Sequence, residues 1–269
     1  MSLRKRVPTA IVLMGVLFVI IQYAPKIALY VFQQAFILAA LIEFYRLAER
    51  KGLMPQKALG IVLALFVSVT AYFPSFPLEA AIYAGLLLSG FYFVVYFNRI
   101  ERLPFFPASF AITLLGTVYL SFPLNFLYRI RLEDGPFYLY FLFSVVFLGD
   151  TGAMFAGKAF GKHKMTPVAS PNKTWEGSAG GILFAVGGAV LAQQVLLSSA
   201  VPLWRAVLTG IVVHAVAQVS DPLESLFKRA VGVKDSSNAL PGHGGFLDRI
   251  DSLILASPLF YFIVKYLWK

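Results

Sequence analysis

The sequence predicts an all-α integral membrane protein of about nine transmembrane helices, with the N-terminus cytoplasmic and the C-terminus outside. Three observations carry that expectation. Of the 269 residues, 59% are hydrophobic and only 13% charged, against about 45–50% apolar and about 25% charged in soluble domains. So little charge cannot coat a water-exposed surface of this size, which excludes a soluble monomer. The apolar residues also fall into runs long enough to cross about 30 Å of hydrocarbon. Lys and Arg, finally, gather on alternate connections. The absence of Cys excludes a disulfide scaffold, a thiolate zinc site and a cysteine nucleophile.

In order, the expected spans are Val7–Tyr23, Ile27–Tyr45, Ala58–Phe73, Glu79–Phe97, Phe105–Tyr128, Phe137–Phe155, Ser178–Ser198, Val201–Val219 and Ser252–Trp268. Arg4, Lys5 and Arg6 precede the first run, as in a signal peptide. No small-residue cleavage site follows, however, and another apolar run begins almost at once, so it reads as a helix. With the N-terminus inside, 17 of the 23 Lys and Arg fall on inside segments and 6 outside. Topology therefore accounts for most of the net charge of +10, and nucleic acid is not needed to explain it. The expected division is residues 1–135, with about five spans, and a catalytic region 136–269. The latter carries cytoplasmic loops at 156–177 and 220–251, long enough to suggest function.

The 13 acidic residues divide sharply. Glu43, Glu49, Glu79, Glu101, Glu133 and Asp134 lie at span ends or in short loops and read as solvated or snorkelling side chains. Asp150, Glu176, Asp221, Glu224, Asp235, Asp248 and Asp251 fall in, or border, the two long inside loops. Asp150 and Asp221 close apolar runs, where a charge is costly unless it faces protein, water or a metal. Asp221, Glu224 and Lys228 are spaced to share one helical face, with Ser225 beside it. Asp221 before Pro222 also reads as the N-cap of a new helix.

Downstream, Leu240-Pro-Gly-His243-Gly244-Gly245-Phe246 forms a Gly-rich segment whose N–H groups could converge on an anion. It runs into Asp248-Arg249-Ile250-Asp251 at the start of the last helix. The earlier loop offers Gly149-Asp150-Thr-Gly-Ala and Ser170-Pro-Asn-Lys173-Thr174-Trp-Glu176-Gly177, with Thr174 and Glu176 suited to a helix start. Gly161-Lys162 lacks the P-loop spacing. Ser170 and Lys173 match a Ser-x-x-Lys pattern, but a penicillin-binding serine enzyme is excluded by the inside location and the absent companion motifs. His214, mid-span with Gln218 on the same face, reads as an interhelical hydrogen-bonding residue. His163 reads as solvated, and His243 as functional.

Carboxylates, cations and a Gly-rich loop on the cytoplasmic side suit a Mg²⁺-bound nucleoside triphosphate. Mg²⁺ takes one or two carboxylates plus phosphates and water, and Lys and Arg neutralise the remaining phosphate charge. No Ser/His/Asp or Cys/His set is evident. An acceptor that is itself a phosphate is mostly ionised near neutral pH (second pKa about 6) and attacks without a general base.

The run Ser225-Leu-Phe-Lys228-Arg229, then Lys234-Asp235, then Leu240 to Asp251 resembles the signature of the phosphatidate cytidylyltransferase (CDP-diacylglycerol synthase) family. The Asp150 and Ser170–Gly177 segments resemble it too. Ser220-Asp221-Pro222-Leu223 departs from the family's more usual Gly-Asp-Leu. The resemblance implies CTP and phosphatidate as substrates, Mg²⁺ with a monovalent cation such as K⁺ assisting, a membrane homodimer, and an active site facing the cytoplasm from the cell (inner) membrane. It implies metal binding by Asp221, Asp248 and Glu224, and catalytic roles for Asp221, Asp248, Lys228, Lys173 and His243. Substrate contacts fall to Ser225, Arg229, Lys234, Asp235, Gly244, Gly245, Arg249, Asp251, Asp150 and Thr174. Two other readings remain open from the residues themselves. One is a CTP-using membrane enzyme acting on another lipid, such as a polyprenol kinase. The other is an anion transporter, against which stand the absence of a repeat and of charges at span centres.

Overall fold

The computed structural model describes residues 14–198, 200–240, 242 and 244–268. Among the described residues, ten α-helices run in chain order: α1 Met14–Tyr23, α2 Lys26–Arg50, α3 Lys57–Tyr72, α4 Leu78–Phe97, α5 Phe106–Gly116, α6 Phe122–Glu133, α7 Pro136–Phe160, α8 Trp175–Leu196, α9 Leu203–Ala230 and α10 Leu247–Ile263. A π-helical turn, Thr117–Ser121, joins α5 to α6, and another, Val264–Trp268, extends α10. Seven helical stretches among the described residues are long and apolar enough to cross a membrane. The first and third expected spans correspond to the shorter apolar helices Met14–Tyr23 and Lys57–Tyr72. Part of the first, from Val7, lies outside the described residues.

Both long loops are partly built. Helix α7 continues past the expected Phe155 to Phe160, and residues 164–174 form a hairpin. Its strands β1 (Lys164–Thr166) and β2 (Ser170–Thr174) pair antiparallel, with Lys164 opposite Thr174. Thr174 then caps α8, its Oγ1 accepting the Gly177 N–H at 3.1 Å, as its position before Trp175-Glu176 suggests. The expected helix break at Asp221-Pro222 is absent. Helix α9 runs through it, with Pro222 inside and Asp221 therefore in mid-helix rather than at an N-cap. Proline there leaves the carbonyl four residues earlier without its helical donor and in water costs about 3 kcal/mol. Such breaks are tolerated where neighbouring helices and Ser or Thr side chains re-satisfy the backbone.

The chain forms two compact units. One comprises Met1–Tyr128 with Ala230–Arg249, the other Arg129–Arg229 with Ile250–Lys269. In the first, Leu59, Leu63, Phe93 and Phe97 form an apolar cluster faced by Tyr92, Tyr96, Phe106 and Phe110. The Tyr45 ring fits against Gly60 and Gly116, where a side chain would collide, and its hydroxyl donates to the Thr113 carbonyl at 2.7 Å. Gln34, Ser68 and Asn125 form a closed polar knot. Ser68 donates to Gln34 Oε1 at 2.6 Å, Gln34 to Asn125 Oδ1 at 2.9 Å and Asn125 to Ser68 Oγ at 2.9 Å. With little hydrophobic drive between helices in lipid, such bonds and close packing hold the bundle.

In the second unit α7 packs along α8 through small residues. Gly177, Gly181, Ala185, Gly188, Ala189 and Ala192 are the buried stripe of α8. A Cβ on Gly188 would stand 2.9 Å from the Ser144 carbonyl oxygen, whereas one on Gly187 meets nothing within 4 Å. Gly188→Ala is therefore expected to destabilise the protein by about 1–3 kcal/mol, the usual scale of overpacking. Gly187→Ala should be neutral or slightly stabilising. Melting in detergent checks both; equal midpoints for the two variants would contradict the close α7–α8 approach.

Candidate active site

The second unit gathers charge from four elements. Asp150 comes from α7, Lys173 from β2, Asp221, Glu224, Ser225 and Lys228 from α9, and Asp251 from α10. The Lys173 ammonium meets Asp221 Oδ2 at 2.8 Å, and Ser225 donates to Asp221 Oδ1 at 3.3 Å. Because α9 continues through Pro222, Asp221 and Ser225 lie one turn apart. Glu224 and Lys228 repeat that spacing as an ion pair of 2.5 Å, with the Glu224 side chain 0% and the Lys228 side chain 8% exposed. Ser252 donates to Asp150 Oδ2 at 3.1 Å, and its own N–H bonds Asp251 Oδ1 at 2.8 Å. Ser220 Oγ donates to the Asp251 carbonyl, tying α9 to α10 within this unit. The charges bearing on Asp251 are Asp221 and Glu224, opposed by Lys228; on Asp150 they are Lys173 and Asp221. Four carboxylates and two lysines thus share one electrostatic neighbourhood.

Around it, Arg229 donates through Nε to the Ala169 carbonyl at 3.2 Å, securing the hairpin turn. His214 is fully buried between Gly149 and Gly181, neither of which leaves room for a Cβ beside the ring. Gln218 approaches its Nε2 at 2.9 Å and donates to the Ser178 carbonyl at 3.0 Å. That is the interhelical role its mid-span position suggests. His163 is exposed, as expected, but its Nδ1 meets Glu176 Oε1 at 2.6 Å. Glu176 also accepts the Lys162 N–H at 3.0 Å, so this carboxylate holds the chain between α7 and the hairpin.

In the first unit, Asp248 sits in the first turn of α10, where the sequence places it. Its Oδ2 accepts from the Ser236 N–H at 2.9 Å and the Gly245 N–H at 2.8 Å, and it shares the single Ser236 hydroxyl proton, at 2.9 Å, with Glu43. Gly242 and Gly244 adopt φ of +78° and +80°, the left-handed conformation that favours glycine. Lys234, Asp235 and Arg249 are exposed. His243 lies outside the described residues.

The largest correction concerns Glu43. Expected to be solvated, it is 4% exposed and accepts four hydrogen bonds. Ser237 Oγ and Phe246 N–H reach Oε1 at 2.6 and 3.1 Å; Ser236 Oγ and Leu247 N–H reach Oε2 at 2.8 and 2.9 Å. No motif around Glu43 signals this, because its partners lie some 190–200 positions away, at separations of 193 to 204. A usable hint was its position two residues before the end of the expected second span at Tyr45.

As to metals, no three His, Asp or Glu side chains among the described residues converge as a ready ligand set. That does not suit a zinc site, which needs three or four protein ligands. Mg²⁺ needs fewer protein ligands: it takes one or two carboxylates and completes its shell with phosphates and water. Asp221, half-buried and flanked by Lys173 and Ser225, offers such oxygens.

A sequence profile described as the cytidylyltransferase family matches residues 4–267. A Staphylococcus saprophyticus protein named phosphatidate cytidylyltransferase is 41% identical over 159 residues, 59% of this chain and 60% of the relative. One of that name from Staphylococcus epidermidis is 42% identical over 159 residues, with the same shares covered. For these relatives the chain spans about 60% of their length. A Bacillus subtilis protein of the same name is 31% identical over 271 residues, 98% of both chains.

Removing one member of a buried ion pair leaves the other charge uncompensated, which typically costs 3–5 kcal/mol. Lys228→Met is expected to lower stability by about that amount, and Lys228→Met with Glu224→Leu by clearly less. Urea or thermal unfolding in detergent measures the difference. A double variant no better than the single would contradict direct pairing.

Proposed function

The chain belongs to the cytidylyltransferase family, and we propose that it transfers CMP from CTP to phosphatidate, giving CDP-diacylglycerol and pyrophosphate. The observation that carries this reading is the neighbourhood of Asp150, Lys173, Asp221, Glu224, Lys228 and Asp251. It holds oxygen donors for a metal and ammonium groups for phosphates. The names of the relatives in Staphylococcus and Bacillus support the substrates.

In the reaction, a phosphate oxygen of phosphatidate forms a bond to the α-phosphorus of CTP. The bond from that phosphorus to the bridging oxygen of the β-phosphate breaks, and pyrophosphate leaves. An ionised phosphate needs no base, so the residues serve to align and neutralise. Lys173, held at 2.8 Å by Asp221, is oriented to meet a phosphate oxygen. Lys228, fixed by Glu224, adds a second cation, with Ser225 and Arg229 as further donors. Asp221 with Glu224 would hold Mg²⁺ in this unit, and Asp248 is the proposed ligand in the other. Bound there, Mg²⁺ would neutralise phosphate charge, and K⁺ is the proposed assisting cation. Lys234, Asp235, Gly244 and Arg249 are further proposed substrate contacts, as are Asp150, Thr174 and Asp251, with His243 as a proposed catalytic group; the Gly245 N–H, already bonded to Asp248, is not among them. A homodimer in the inner membrane, with the site facing the cytoplasm, belongs to the same proposal.

Purified protein with Mg²⁺, CTP and phosphatidate is expected to yield CDP-diacylglycerol and one pyrophosphate per lipid, with ATP, GTP and UTP much poorer donors. No CDP-lipid from phosphatidate, alongside turnover of a polyprenol, would contradict the reading. Asp221→Asn should lower kcat more than about 100-fold, the scale of losing one key electrostatic partner, while the protein stays folded. Near-normal turnover would remove Asp221 from the metal site.

A further inference from the structure

Glu43 has no place in the chemistry above, yet it is among the most heavily bonded carboxylates in the first unit. Its four hydrogen bonds among the described residues all come from one segment, 236–247. They come from both ends of that segment. Ser236 and Ser237 stand at its start; the N–H groups of Phe246 and Leu247 stand at the beginning of α10. Those two amides are helix-terminal donors with no intrahelical partner, and a carboxylate is favourable at that end of the helix dipole. Glu43, on α2, therefore caps α10 from outside and draws the two ends of the segment together.

Asp248 makes a second closure of the same segment, through Ser236 and the Gly245 N–H. The fit is tight: a Cβ on Gly245 would overlap Ser236 Oγ and Glu43 Oε2. The consequence reaches beyond shape. Lys234 and Asp235 immediately precede the clamped serines, and Arg249 immediately follows Asp248. All three are exposed, so the clamp sets where two cations and a carboxylate stand at the surface. The bonds that form the clamp lie wholly within the chain, and restraint of this kind lowers the entropy lost in ordering such groups on binding. Since the N–H groups of Gly245, Phe246 and Leu247 are already taken by Glu43 and Asp248, the segment's own side chains rather than these amides are left to meet a phosphate.

We propose that Glu43 is a positioning residue for nucleotide binding: it clamps segment 236–247 so that Lys234 and Arg249 are held ready for the triphosphate. The proposal rests on the cytidylyltransferase reading, and two measurements on the full-length protein in detergent separate the two. Glu43→Gln keeps the side-chain length but replaces one acceptor oxygen by an amide that faces other donors. In ligand-free protein, hydrogen exchange at the amides of Gly245, Phe246 and Leu247 should accelerate at least about tenfold. In the assay, KM for CTP should rise at least about tenfold, with KM for phosphatidate changed less than about twofold. A merely structural role would instead reduce the active fraction, lowering kcat and leaving both KM values unchanged. Ser237→Ala, which removes a single donor, should move exchange and KM in the same direction by about threefold, and it serves if Glu43→Gln fails to fold.

Unchanged exchange overturns the proposal. So does faster exchange with an unchanged KM for CTP, or a rise confined to phosphatidate. A wild-type protein inert toward CTP would sink the cytidylyltransferase reading instead, and exchange alone would then decide whether Glu43 holds the segment.

Discussion

A carboxylate carried into an apolar helix bundle must be answered by donors or cations, because a buried charge without them costs several kcal/mol. That requirement organises both polar clusters. Glu224 is answered by Lys228 one turn along α9, Asp221 by Lys173 from the hairpin, Asp150 by Ser252 of α10. Glu43 is answered by two hydroxyls and two amides. Each answer crosses between elements or fixes a turn, so satisfying the charges also determines where loops and helix ends lie. The small-residue stripe of α8 supports this by letting α7 approach closely, which leaves the polar groups near one another rather than splayed by bulky side chains.

Much of the helical framework is legible in the sequence, because a run of apolar residues has few alternatives in hydrocarbon. The Thr174 cap and the placement of Asp248 in the first turn of α10 follow from local chemistry that needs no tertiary knowledge. What local reading misses is what tertiary packing decides. Pro222 looks like the start of a helix, but α9 continues through it and brings Asp221, Glu224, Ser225 and Lys228 onto consecutive turns. Residues 156–177 look like a loop because they are rich in Gly and Lys; a short hairpin and the extension of α7 take up most of that length. Of the nine expected spans, the one beginning at Ala58 corresponds to a helix of 16 residues, and the one beginning at Val7 is described only from Met14.

The candidate site was legible in a different way. Residue types and spacing singled out Asp150, Asp221, Glu224 and Lys228, the family resemblance added Lys173, and these do share one neighbourhood. Glu43 was beyond reach, since a carboxylate near a span end is ordinarily solvated and its partners sit about 200 positions away. Its bonds give the Gly-rich segment a different role. The N–H groups of Gly245, Phe246 and Leu247, which looked available for an external anion, already bond two of the protein's own carboxylates. The segment thus enters the chemistry as a preorganised support for exposed cations.

Cytidylyl transfer and lipid phosphorylation use the same nucleotide but deliver different phosphates to the lipid. Parallel assays with CTP labelled at the α- or at the γ-phosphate, using the purified protein, Mg²⁺ and phosphatidate, distinguish them directly. Cytidylyl transfer predicts that the lipid acquires the α-label and that the γ-label leaves as pyrophosphate. Appearance of the γ-label in the lipid, with CDP released, would contradict it.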